Sequence, residues 1–152
     1  MTYFFKLNTV EDNVVNNEIT GPFSVAWYRN PSHVSRNSLS ILYKTGENEY
    51  ANFFPDFIFF ERNNDGKIVK SIIDPHGDWL ADSIAKLRGY VDYVEKFPND
   101  FARVLVVADV SKTEYRSLDL MNERVRKVIK EFQGTMAREL FSGELSSLYL
   151  KL

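Results

Sequence analysis

The chain contains no cysteine. That excludes a disulfide scaffold, a cysteine nucleophile and a cysteine-ligated zinc site, and it fits a reducing compartment. Its two histidines cannot build a three-histidine metal centre. Neither sign of charge is in excess: 19 basic against 21 acidic side chains leave a net charge of −2. This argues against a strongly basic nucleic-acid coat, while a carboxylate-rich metal site would be compatible with nucleic-acid chemistry. No apolar run approaches the roughly 20 residues that a membrane helix needs. The segment Met1 to Lys6 has no basic region followed by a signal-like apolar run, so a cytoplasmic protein is expected. There is no internal repeat, no low-complexity tract and no Gly-x-x-x-x-Gly-Lys loop, which excludes a P-loop ATPase.

What is present suits an ordinary folded domain. The 152 residues are 44% hydrophobic and 14% aromatic, enough apolar material to offset chain entropy in one domain. No composition shift marks a linker, so residues 1–152 are read as a single domain. Val10 to Ile19 reads as a short helix ended by Gly21-Pro22, with Glu18 in the middle of its apolar face. Phe23 to Tyr28 is extended, and Asn30-Pro31-Ser32 turns. Three strand-like runs follow, Ser38–Lys44, Tyr50–Arg62 and Lys67–Asp74. Asn63-Asn64-Asp65-Gly66 forms a hairpin turn between the last two, because these residues tolerate positive φ. Leu80, Ile84, Leu87, Val91 and Val94 recur at helical spacing from Gly77-Asp78 to Phe97-Pro98. Phe101–Val110 reads as a buried strand reached by crossover from that helix. Leu118–Phe132 reads as a second amphipathic helix, and Leu145–Leu150 as a last strand. The order is α–β–β–β–α–β with a further helix, an α/β fold whose mixed central sheet is flanked by helices.

Three carboxylates stand in apolar surroundings: Asp56 in Phe-Phe-Pro-Asp-Phe-Ile-Phe-Phe, Asp74 in Ile-Ile-Asp-Pro-His-Gly, and Glu18. A buried charge is costly unless it is paired, hydrogen-bonded or bound to metal. Asp56 and Asp74 lie on strands joined by a tight hairpin, so both can reach one sheet edge. If the strand stays extended, Asp74 and His76 share a side. Two carboxylates and a backbone carbonyl suit Mg²⁺, which keeps water and takes substrate phosphate for its remaining positions. The same residues also suit plainer roles: Asp74 as a turn or helix-capping aspartate, Glu18 as a helix carboxylate reaching for solvent. Arg29, Arg36 and Arg88, and the helix face with Arg124, Arg126, Lys127 and Lys130, are either phosphate contacts or solvated surface.

Pro-Asp on one strand followed by an acidic-x-basic triplet on the next, within this element order, resembles the PD-(D/E)XK nuclease fold. A longer string is more specific. Trp27-Tyr28-Arg29-Asn30-Pro31, Phe54-Pro55-Asp56-Phe57-Ile58, Ile73-Asp74-Pro75-His76-Gly77 and Leu80-Ala81-Asp82-Ser83-Ile84-Ala85-Lys86-Leu87 resemble the C-terminal endonuclease region of the Res subunits of type III restriction enzymes. The resemblance covers residues 10–110 and leaves 111–152 as a C-terminal extension. It implies Mg²⁺-dependent hydrolysis of double-stranded DNA, with Mn²⁺ able to substitute. Asp56 would be the Pro-Asp metal ligand, Asp74 the acidic residue of the triplet, and Glu18 the first-helix carboxylate that completes the metal set. The Pro75 carbonyl would be a further ligand. His76 stands where the triplet usually has lysine, so either His76 or Lys86 on the next helix would replace it. The implied partners are the helicase part of a Res subunit and a modification methyltransferase. The alternative is a module of the same fold with a decayed site, kept to grip DNA or a protein.

Overall fold

The computed structural model describes residues 7–19, 24–75, 83–111 and 114–151. The chain runs through α1 (Thr9–Ile19), β1 (Ser24–Arg29), β2 (Ile41–Lys44), β3 (Tyr50–Phe53), β4 (Phe57–Arg62), β5 (Ile68–Pro75) and α2 (Ser83–Lys96). It continues through β6 (Arg103–Ser111), β7 (Glu114–Asp119), α3 (Glu123–Glu131), α4 (Ala137–Ser142), a 3₁₀ turn at Ser146–Leu148 and β8 (Leu150–Lys151). Six strands form one mixed sheet in the order β1-β4-β5-β6-β7-β8. The β5–β6 pair is parallel and its neighbours are antiparallel. This is a mixed α/β architecture with helices on both faces of the sheet.

Period-2 alternation sorts the strand residues between those faces. Phe57, Phe59, Ile73, Leu105 and Val107 bury against Val14 and Val15 of α1. Ile72, Val104, Val106 and Leu118 turn the other way, into a core with Ile84, Leu87, Tyr90, Val91 and Val94 of α2 and Val125 and Ile129 of α3. The inner strands are thus apolar on both sides, as strands covered by helices on both faces must be. The β4–β5 hairpin turns at Asn63–Gly66. Gly66 takes φ +78°, and the Asn63 side chain accepts from the N–H groups of Asp65 and Lys67.

Three expectations from the sequence need correction. Tyr50–Arg62 is not one strand: β3 ends at Phe53 and β4 begins at Phe57. Pro55 has no N–H for a ladder, and the chain changes sheet there. Ser38–Lys44 supplies β2, which pairs with β3 as a separate two-stranded sheet packed on α2. The strands that accompany α1, α2 and β6 in the main sheet are therefore β1, β4 and β5, with the β2–β3 hairpin inserted among them. The span Leu118–Phe132 divides into the end of β7, a turn, and α3. Asn122 caps the helix by accepting from the Arg124 N–H, which sets the helix start that the apolar spacing alone did not fix. The tail holds α4 and the 3₁₀ turn, with only Leu150–Lys151 as strand.

Candidate functional site

Asp74 is the next-to-last residue of β5. It follows Ile72 by two positions, so its side chain points to the α2 face of the sheet. It is only 4% exposed. Its Oδ1 accepts from the backbone N–H of Asp56 at 2.9 Å, and its Oδ2 accepts from the Tyr90 hydroxyl of α2 at 2.7 Å. Two donors of this kind stabilise the ionised carboxylate. Tyr90 is itself 1% exposed. Burial, then the neighbouring Asp74 charge, holds its hydroxyl well above the usual phenol range, so it remains a donor.

Asp56 occupies the break that Pro55 makes between the two sheets. Its carbonyl accepts from the Asn30 N–H at 2.9 Å, tying it to the end of β1. Asn30 in turn clamps the following loop through Leu39, accepting from its N–H at 2.8 Å and donating to its carbonyl at 2.7 Å. The Asp56 carboxyl is pushed up to about 7. Burial is the main cause, followed by the negative charges of Asp74 and Glu11, with Arg29 acting the other way. Asp74 and Asp56 are thus two adjacent carboxylates in different states. One is held ionised by donors, and the other shares a low-dielectric setting with two like charges.

Glu11 is the helix residue that sequence reasoning missed. It is 6% exposed and forms a capping box with Asn8. Asn8 Oδ1 accepts from the Glu11 N–H, and Glu11 Oε2 accepts from the Asn8 N–H, both at 2.9 Å. Its other oxygen meets Arg29 of β1 at 2.9 Å. The signal was in the sequence as Asn-x-x-Glu. Tyr90 was equally visible as a polar-tipped residue among the apolar positions of α2.

Glu18, expected to be the first-helix carboxylate, is not among the charges that act on Asp56. It pairs with Arg103 of β6 at 2.9 Å, and Arg103 also binds Glu61 of β4. The reason is helix length: seven residues separate Glu11 from Glu18, about 10 Å along the axis. Lys86 is half-buried on α2, one turn before Tyr90, with its Nζ 5.9 Å from the centre of the Tyr43 ring. His76 lies outside the described residues. So the structure brings Asp56 and Asp74 together as expected, adds Tyr90 and Glu11, and takes Glu18 elsewhere.

A divalent cation can be weighed against this donor set. Among the described residues no three His, Asp or Glu side chains gather as a metal-holding group. The two aspartates remain a fit for Mg²⁺ in its usual mode, one or two carboxylates with water and phosphate filling the rest. Each Asp74 oxygen accepts one hydrogen bond and keeps a second lone pair. The mutual repulsion that lifts Asp56 is what a cation would relieve.

No helix among the described residues is long and apolar enough to cross a membrane. Comparison with known proteins gives one relative by name, Protein YagJ of Escherichia coli strain K12, 36% identical over 143 residues. The match covers 94% of this chain and 57% of that protein, so the chain spans little more than half of its relative's length. No solved structure matches. The YagJ family matches residues 2–150, nearly the whole sheet-and-helix unit described above, and the chain belongs to the YagJ family.

Proposed function

We propose that this chain is a nuclease-fold domain of the PD-(D/E)XK kind that hydrolyses phosphodiester bonds of double-stranded DNA with Mg²⁺, using Asp56 and Asp74. The observation that carries the reading is the Asp56–Asp74 pair, joined by a backbone hydrogen bond at the end of β5 with one carboxyl pushed up to about 7. Strongly shifted carboxyls facing a like charge are a mark of functional sites. The element order supports it: α1, β1, β4, β5, α2 and β6 run as α–β–β–β–α–β through one mixed sheet.

A bound Mg²⁺ would neutralise developing charge on the phosphate and lower the pKa of an attacking water. The chain's own residues have separate tasks. Asp74, kept ionised by the Asp56 N–H and the Tyr90 hydroxyl, is the fixed anion of the site. Asp56 is the carboxyl that holds or yields a proton near neutral pH. Lys86 or His76 supplies the basic group that the triplet lacks. Partners in this reading are duplex DNA, a helicase-type motor and a methyltransferase subunit, as in a type III restriction-like system in the cytoplasm.

A second reading has its own observation. Both Asp74 oxygens are already hydrogen-bonded, and Asp74 is almost fully buried. A carboxylate used this way also serves as a structural staple in a module that only binds DNA or protein. Titration with Mn²⁺ followed by electron paramagnetic resonance, beside plasmid cleavage in Mg²⁺, separates the two. The nuclease reading expects one Mn²⁺ per chain and Mg²⁺-dependent nicking. Asp74→Asn should lose both while still retarding duplex DNA in a gel. A wild-type chain that takes up no Mn²⁺ stoichiometrically leaves the binding module standing and the nuclease rejected.

A further inference from the structure

We propose that Tyr90 is a positioning residue for this site, fixing the Asp74 carboxylate in the orientation that receives a divalent cation; the inference rests on the reading of Asp56 and Asp74 as a metal pair. Tyr90 touches neither substrate nor cation. It acts through one hydrogen bond, from its hydroxyl to Asp74 Oδ2 at 2.7 Å. A carboxylate rotates about its last bond with little resistance unless both oxygens are held. Here the Asp56 N–H holds Oδ1 and Tyr90 holds Oδ2, from opposite sides. The outward lone pairs are then left for a cation.

The ring that carries the hydroxyl is fixed in turn. Tyr90 meets Phe53 edge-on at 4.7 Å between ring centres, and Phe53 meets Tyr43 at 5.7 Å. Phe53 and Tyr43 belong to β3 and β2, so the inserted hairpin braces the tyrosine from the side away from the sheet. Lys86, one turn earlier on α2, lies over the same Tyr43 ring. The hairpin therefore connects to the site through aromatic contacts, giving it a role in the site's geometry without contributing a ligand. Groups that orient a metal ligand typically matter by 10–100-fold in metal affinity.

The test measures Mn²⁺ affinity by electron paramagnetic resonance in the full chain, with thermal unfolding recorded for every variant. Tyr90→Phe keeps the ring and its packing and removes only the hydroxyl. The expected result is a 10–100-fold weaker Kd for Mn²⁺. Asp74→Asn should abolish binding, and Ile129→Val, a core change on α3, should lower stability and leave the Kd unchanged. If Tyr90→Phe binds as tightly as wild type while Asp74→Asn does not bind, Tyr90 is structural and the proposal falls with the metal pair intact. If Asp74→Asn binds like wild type, or wild type does not bind, the metal pair itself is wrong and Tyr90 has nothing to position. A loss in Ile129→Val equal to that in Tyr90→Phe would make the effect one of global stability and overturn the proposal as well.

Discussion

Asp56 is the residue whose chemistry has the largest measurable consequence. Its carboxyl rises from 3.8 to about 7 on folding, chiefly through burial and then through Asp74 and Glu11. The folded state therefore holds a proton that the unfolded chain releases between about pH 4 and pH 7. The stability this proton confers is complete below pH 4 and is lost as pH rises through 7. Asp56→Asn imitates the protonated form at every pH. It should match wild type near pH 4.5 and be more stable at pH 8, by on the order of 2 kcal/mol once partial solvent exposure is discounted. That corresponds to about 4–8 °C in Tm for a chain of this size. Melting curves at the two pH values check it, and a gap that does not change with pH would count against the raised carboxyl. The sequence made the Asp56–Asp74 pair legible because two charges in apolar strands joined by a tight turn have few places to go. It did not distinguish Glu11 from Glu18. Both lie on α1, and the choice depends on where Arg29 and Arg103 emerge from the sheet, a fact of tertiary packing.

At the scale of elements, the inserted hairpin sits closest to α2 at Gly89. A Cβ there would lie 2.7 Å from the Tyr43 Cβ and 2.8 Å from the Leu42 carbonyl oxygen. On an exposed helix, Gly→Ala gains about 1 kcal/mol in helix propensity. Here the strand backbone would have to move, and overpacking of this kind costs about 1–3 kcal/mol. Gly89→Ala should therefore lower the urea midpoint without changing the slope; a rise in the midpoint would show that β2 gives way freely. The glycine was visible in the sequence but its partner was not, since nothing in Ser38–Lys44 says that this strand leaves the main sheet. Elements with a strong period were legible: α2 from its five apolar positions, β5 and β6 from their apolar runs, and the Asn63–Gly66 turn from its residue types. Elements set by competition were not. β7 is short and carries polar residues, so the apolar spacing of α3 was extended backwards over it until Asn122, the cap, was seen to end that helix.

The whole molecule places two polar constellations at opposite ends of β4. Asp56 stands just before the strand, and Glu61 is five residues further on, about 17 Å along an extended chain. At the far end Arg103 of β6 joins Glu18 of α1 to Glu61, and Glu61 also accepts from the Ser71 hydroxyl at 2.6 Å. At the near end Arg29 of β1 holds Glu11. The helix is thus tied to the sheet near both its ends by arginines from two different strands, with Val14 and Val15 buried between. Arg103→Met preserves the aliphatic stem and leaves Glu18 and Glu61, only 14% and 13% exposed, without their cation. Breaking a pair this far from water costs several kcal/mol when fully buried; with Arg103 itself a third exposed, about 1–3 kcal/mol is expected. The carboxylates left behind repel each other, so added salt should restore part of the loss. Because the two ends share no hydrogen-bond partner, Arg103→Met and Asp56→Asn should add to within about 0.5 kcal/mol at pH 8. A double-mutant cycle by urea denaturation measures this directly. Coupling well above that value would mean that α1 transmits the state of one end to the other as a rigid rod, and that the arginine at the far end belongs to the working of the aspartate pair.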